Sequence, residues 1–263
     1  MDLNHSLPHI PERTAKPRES GLTMMMDKGL SIREAEDFVA SSGDFTDLVK
    51  FGFGTALISK GLEDKIRIYR EGGLTPYFGG TLFELFEIRG KFDDFRRFTE
   101  GYGIEMLEIS DGSMALAHHL KLEYIRTLSS TFTVISEVGS KVAGVEIPND
   151  QWVEMMKTEL EAGSWKVIGE ARESGTIGIY NKDGSANIEL VEDIIGKVGI
   201  DNVIWEAPAK NQQAWFIKLL GCNVNLGNIA PAEVVALESL RLGLRGDTFF
   251  DFLPEKYNNR KLS

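Results

Sequence analysis

The feature that most constrains this chain is a repeating alternation. From Gly21 onward, short apolar runs of strand length are followed by amphipathic stretches of helix length, and the pair recurs eight times. The strand-length runs are 22–27, 48–52, 76–79, 104–110, 131–137, 165–170, 203–206 and 223–226. Helical stretches separate them. The first begins with Ser31 and Glu34, the Ser-x-x-Glu spacing of a capping box. The stretch 82–100 is long for one helix, and Gly90 predicts a break within it. Strand–helix alternation means parallel βαβ units. Eight of them predict an α/β fold, a single (β/α)8 barrel; an open doubly wound sheet is the alternative. The 263-residue length agrees, since such barrels use about 250 residues as one domain. No linker composition divides the repeats, so residues 21–248 read as one catalytic barrel domain. Residues 1–20 are polar, with Pro8, Pro11 and Pro17, and read as a flexible leader. Residues 249–263 form a tail whose Phe249, Phe250 and Phe252 suit packing on the barrel or on a neighbouring subunit.

Composition narrows the function classes. The chain carries 29 basic and 40 acidic residues, a net charge of −11. Nonspecific nucleic-acid binding needs a basic face, so nucleic acid is not an expected partner. No apolar run approaches the roughly 18 residues of a membrane helix, and the N-terminus opens no signal-peptide pattern. The single cysteine, Cys222, excludes an intrachain disulfide and suits a reducing, cytoplasmic setting. If the ligand is an anion, its cationic partners must be local and few.

The informative residues sit where the strands stop. Parallel barrel strands are buried on both faces, and active sites form at their C-terminal ends. Here apolar bodies end in Asp27, Lys50, Glu108, Glu137, Glu170 and Glu206. Side chains alternate along a strand, so Glu137 shares its face with Ile135, Glu206 with Ile204, Glu170 with Ile168, Lys50 with Leu48 and Asp27 with Met25. An apolar residue below each charge is what a filled barrel interior requires. All six therefore read as converging on one mouth, against the plainer reading that they only mark strand ends. Clustered carboxylates repel unless a cation or shared protons compensate. A hard divalent ion, most often Mg²⁺, is the natural partner for such oxygens.

Cations at the same rim are Lys28, Lys50, Lys141 and Arg172. Lys141, four residues after Glu137, is either a general acid or a solvated loop charge. Arg172 suits bidentate recognition of phosphate or sulfonate, or else an ion pair with Glu170 or Glu206. Gly79-Gly80-Thr81 leads directly into a helix, so its N–H groups can face an anion. Asn225-Leu226-Gly227-Asn228 does the same after the eighth run, where barrels often hold phosphate. Other chemistries fail. His118 and His119 are adjacent and point to different sides of a helix. Ser110-Asp111-Gly112-Ser113 has no nearby histidine for a hydrolase triad. No P-loop or dinucleotide fingerprint is present.

Together these segments resemble the phosphosulfolactate synthase family. The resemblance rests on Asp27-Lys28-Gly29, Lys50-Phe51-Gly52-Phe53-Gly54, Gly79-Gly80-Thr81, Glu108-Ile109-Ser110-Asp111-Gly112, Ser136-Glu137-Val138-Gly139, Glu170-Ala171-Arg172-Glu173, Glu206-Ala207-Pro208 and Asn225-Leu226-Gly227-Asn228. It spans about residues 20 to 250 and touches every repeat. It implies a (β/α)8 barrel that adds sulfite to phosphoenolpyruvate with Mg²⁺, the opening step of coenzyme M biosynthesis in methanogens. Carried onto this chain, it implies Lys141 as the acid with Lys50 second, and Glu108, Glu137, Glu170 and Glu206 as Mg²⁺ ligands. It also implies Asn225, Gly227 and Asn228 at the phosphate, Lys28 and Arg172 holding phosphate or sulfite, Gly80 and Thr81 at the substrate, and a homo-oligomer, a trimer in the family. The chain departs from the family at Gly139-Ser140-Lys141, where Gly-Lys-Lys is common. The family also has a plant heat-stress-associated branch with a protective role, which is the second expectation. A third keeps the enolate chemistry with another nucleophile or another phosphorylated 2-enoic acid as acceptor. Five carboxylates with lysines and an arginine at one rim favour an enzyme.

Overall fold

The computed structural model describes residues 3–140, 147–171, 176 and 178–261. Eight parallel strands close a barrel in sequence order: β1 (Thr23–Asp27), β2 (Leu48–Phe51), β3 (Thr75–Phe78), β4 (Met106–Ile109), β5 (Thr133–Val138), β6 (Ser164–Gly169), β7 (Val203–Glu206) and β8 (Leu226–Ile229). The first strand pairs with both β2 and β8, so no edge is left open. The helices that follow β1 to β5 are α1 (Ile32–Ser42), α2 (Leu62–Glu71), α3 (Gly80–Glu87) with α4 (Phe92–Gly101), α5 (His118–Ser129) and α6 (Asn149–Glu161). Those after β6 to β8 are α7 (Ile188–Lys197), α8 (Lys210–Leu220) and α9 (Val234–Arg241).

The local signals act as expected. Ser31 and Glu34 form a reciprocal capping box at the start of α1, each side chain bonding the other's backbone N–H. Gly90, at φ +62°, separates α3 from α4. The eighth strand departs from expectation, running Leu226–Ile229 rather than 223–226.

Two apolar layers follow from side-chain alternation. Met24, Leu48, Tyr77, Ile135, Ile168 and Ile204 fill the barrel interior. Val49, Phe51, Leu107, Val134, Val167 and Trp205 face outward into the helix layer. The interior plug makes the barrel a solid floor, and polar side chains one rung higher can gather only above it.

The lower end is closed by the N-terminal segment. Arg13 bonds Glu238 at 2.8 Å and the carbonyls of Cys222 and Gly21. Arg18 pairs with Asp47 at 2.8 Å. Residues 13–18 of the expected leader are thus bonded to the base of the barrel. No helix among the described residues is long and apolar enough to cross a membrane.

Candidate active site

The interior parity of β2, β4, β5, β6 and β7 brings Lys50, Glu108, Glu137, Glu170 and Glu206 to one point above the apolar plug, all buried. Lys50 Nζ lies 3.0 Å from Glu108 Oε1, 3.3 Å from Glu206 Oε1 and 3.4 Å from Glu137 Oε2. Burial works against its ammonium, but Glu108, Glu206 and Glu137 outweigh it and hold its pKa well above the ordinary lysine value. Burial, with Glu108 next to it, likewise pushes the phenol of Tyr77 well up.

Glu137, Glu170 and Glu206 each present a carboxylate oxygen within 4.8 Å of the others. Three hard oxygens at this separation suit a divalent cation such as Mg²⁺. The electrostatics fit the same chemistry: Glu108, Glu137 and Glu206 surround the Lys50 ammonium, and Glu170 is buried beside Glu137 and Glu206, so a cation at the trio would relieve their mutual repulsion. Glu108, the fourth expected ligand, stands apart from this trio. Its Oε1 accepts from the Gly80 N–H at 2.7 Å and faces Lys50.

The supporting shell is polar and ordered. Ser110 Oγ lies 2.8 Å from both Glu84 Oε1 and Glu137 Oε1. The Ala171 N–H donates to Glu206 Oε2 at 2.9 Å. Behind β5, the buried Lys121 of α5 donates to the Glu137 carbonyl at 2.6 Å and pairs with Asp111 and Glu159, each at 2.8 Å. Burial opposes the charge of Lys121, yet Glu159 and Asp111 raise its pKa.

Above the carboxylates opens a cavity of about 380 Å³, lined in part by Met26, Lys50, Phe53, Thr81, Ser113 and Asn228. Two of its rim residues, Phe53 and Asn228, hold positive φ angles of 55° and 57° without being glycine. Such backbone strain gathers at functional sites. Lys28 lies over the Phe53 ring at 5.7 Å, at the same rim.

Two expectations are corrected. Asp27 does not face the mouth: it points outward to α2, where it accepts from Lys65 Nζ at 2.8 Å, Tyr69 Oη at 2.9 Å and the N–H groups of Gly29 and Leu30. Its strand turns Met24 and Met26 inward instead. Asn225 precedes β8 at the lower end, because that strand starts three residues later than expected. Its amide accepts from the Leu22 N–H and donates to the carbonyls of Val203 and Asp201, tying the segment before β8 to the starts of β1 and β7. Gly227 faces the interior, where a Cβ would lie 2.5 Å from Met24 Cε and 3.1 Å from Ile204 Cγ2, so a side chain there has no room.

The Gly79-Gly80 turn also works differently. A Cβ on Gly79 would meet Lys50 Cε at 2.9 Å, and one on Gly80 would meet Ser110 Cβ at 2.3 Å. These glycines let Lys50 and Ser110 approach, and the Gly80 N–H is spent on Glu108. Thr81 and Asn228 do line the cavity. Lys141 and Arg172 lie outside the described residues. Sequence reasoning missed Ser110 and Glu84 as members of this site. Their signal was faint: Glu84 follows Gly80 by four residues and therefore shares its helix face.

Comparison with known proteins shows the family. A family profile described as (2R)-phospho-3-sulfolactate synthase matches residues 11–247. Phosphosulfolactate synthase of Bacillus subtilis (strain 168) is 44% identical over 244 residues, covering 92% of this chain and 97% of that protein. Phosphosulfolactate synthase of Methanothermobacter thermautotrophicus is 39% identical over 244 residues, covering 90% and 95%. Protein HEAT-STRESS-ASSOCIATED 32 of Arabidopsis thaliana is 24% identical over 259 residues, covering 88% of each.

Proposed function

We propose, given that this chain belongs to the (2R)-phospho-3-sulfolactate synthase family, that it joins sulfite to phosphoenolpyruvate at this barrel mouth, giving (2R)-2-O-phospho-3-sulfolactate. The observation that carries the reading is the buried group of Glu137, Glu170 and Glu206 beside Lys50, at the base of a cavity large enough for a small phosphorylated acid. In the reaction the sulfur lone pair of sulfite forms a bond to C3 of phosphoenolpyruvate. The C2–C3 π pair moves to C2 and spreads into the carboxylate, and a proton then adds at C2.

Mg²⁺ held by the three glutamates would supply a Lewis acid for the substrate carboxylate. Lys50 keeps its proton against burial, so its part is a fixed positive charge where negative charge builds. Proton delivery to C2 falls to Lys141 by family resemblance, with Lys50 as the second candidate. Thr81 and Asn228 face the cavity at its rim and suit the phosphate, with Lys28 and Arg172 as its counter-charges. A protein with only a protective role has no use for buried, mutually repelling carboxylates under an open cavity.

The test is direct. Purified protein with phosphoenolpyruvate, sulfite and Mg²⁺ is expected to give a phosphorylated sulfonate by mass spectrometry. Folded protein that yields none under these conditions rules the proposal out. Lys141→Ala is expected to lower turnover far more than substrate affinity, and an unchanged rate removes Lys141 from the mechanism.

A further inference from the structure

Glu137 and Glu206 each have one oxygen committed to a protein group. Glu137 Oε1 lies 2.8 Å from Ser110 Oγ, and Glu206 Oε2 accepts from the Ala171 N–H at 2.9 Å. Their other oxygens, Glu137 Oε2 and Glu206 Oε1, point to the centre, where they face Lys50. The orientation of each carboxylate is therefore set from outside the metal group.

Ser110 is the more elaborate of these two anchors. Its Oγ also lies 2.8 Å from Glu84 Oε1, which accepts the Ser113 N–H at 3.2 Å. Glu84, Ser110 and Glu137 are all buried. A hydroxyl has one hydrogen to give, and here it is shared between two carboxylates in a chain that runs from α3 through the end of β4 to β5. Gly80 makes the approach possible, since any side chain there would strike Ser110 Cβ.

This arrangement bears on which cation the centre prefers. Mg²⁺ is small, demands near-octahedral geometry and takes carboxylates through single oxygens, whereas Ca²⁺ accepts six to eight oxygens and readily takes carboxylates bidentately. A Glu137 whose Oε1 accepts from Ser110 presents Oε2 to the centre, and turning to offer both oxygens strains that bond. We propose that Ser110, anchored by Glu84, is a positioning residue that holds Glu137 to one-oxygen ligation and so biases the centre toward Mg²⁺ over Ca²⁺. The inference rests on the divalent-metal reading of the three glutamates.

Calorimetric titration of the full-length, metal-stripped protein with Mg²⁺ alone and with Ca²⁺ alone provides the test, with no turnover needed. Ser110→Ala is expected to shift the ratio of the two affinities about tenfold toward Ca²⁺, the size of one charge-assisted hydrogen bond. Glu84→Gln keeps an acceptor for Ser110 and is expected to hold the ratio within about twofold of the unsubstituted protein. A purely structural role for Ser110 lowers the melting temperature and leaves the ratio alone; a folded Ser110→Ala protein with that result overturns the inference. Should Ser110→Ala not fold, Ser110→Cys serves instead, since a thiol is only a weak donor to Glu137, and an unchanged ratio there overturns it equally. If the unsubstituted protein binds neither cation, the metal reading fails and takes the inference with it. Normal Mg²⁺ binding with an unmoved ratio sinks the inference alone.

Discussion

Lys50 Nζ lies 3.0 Å from Glu108 Oε1, although the two residues belong to strands that are not neighbours. Between β2 and β4 stands β3, and the lysine crosses it because Gly79 has no side chain to block its methylenes. The contact gives the carboxylate group its central positive charge. Replacing it with Lys50→Met is expected to cut turnover by about 10²–10³-fold, the usual effect of losing one preorganised electrostatic group. The variant's melting temperature should also come to depend more steeply on Mg²⁺, since nothing else among the described residues sits at that point. Steady-state kinetics and a Mg²⁺ series of thermal melts check both outcomes.

Gly80 has a tighter constraint. A methyl group there would come within 2.3 Å of Ser110 Cβ and 2.9 Å of Glu108 Oε1. Gly80→Ala is expected to cost about 1–3 kcal/mol of stability through overpacking, and to disturb both carboxylate anchors. Urea unfolding together with Mg²⁺ titration measures it. A fully stable variant with native Mg²⁺ affinity contradicts the packing assigned here.

Lys65 and Asp27 form an ion pair of 2.8 Å in which both side chains are fully buried. Lys65→Met leaves the Asp27 carboxylate in the helix layer without its counter-charge and is expected to cost about 3–5 kcal/mol. The double variant Lys65→Met, Asp27→Asn removes the orphaned charge as well. It should be clearly less destabilised than the sum of the single changes. Strict additivity in a denaturant cycle refutes the pairing.

His118 offers a pH test away from the mouth. Burial, then Lys121, lower its pKa below the ordinary histidine value, against Asp111 and Glu154. Its Nε2 lies 2.9 Å from Thr158 Oγ1, and its Nδ1 lies 3.8 Å from Glu159. The folded state thus favours the neutral ring. Stability from this preference is present above the unfolded pKa of about 6.5 and is lost as pH falls below it. The stability difference between the unsubstituted protein and His118→Gln should shrink or reverse on going from pH 7.5 to 5.5. A pH-independent difference removes His118 from the account.

At the base, Arg13→Ala breaks a buried pair with Glu238 and is expected to destabilise by about 3 kcal/mol. Because this contact lies at the opposite end of the barrel from the glutamates, Mg²⁺ affinity of the folded variant should stay native. Loss of Mg²⁺ binding without loss of stability is the contrary result.

Much of the fold was legible because period and punctuation are local properties. The alternation of runs, the Ser31–Glu34 box and the break at Gly90 each depend on a few adjacent residues. Five of the six strand-end charges were placed on the correct face because alternation along a strand is rigid: once Ile135, Ile168 or Ile204 is inside, so is the glutamate two residues on. Asp27 broke the pattern. The methionine run at 24–26 gives no clue to which face is inside, and only Lys65 and Tyr69 on α2 decide it. The eighth strand slipped for a related reason, since Asn223 and Asn225 are polar enough to stand on either side of a strand start.

The sequence by itself determined that this chain repeats a strand and a helix eight times and ends its strands in carboxylates. Those facts are set by side-chain chemistry and by spacing along the chain. Tertiary structure alone decided which three glutamates stand together, that Glu108 turns to Lys50 and Gly80, and that Ser110 links Glu84 to Glu137. Such choices depend on barrel closure and on the stagger between strands, which bring residues dozens of positions apart within a hydrogen bond's length. No local pattern records that distance.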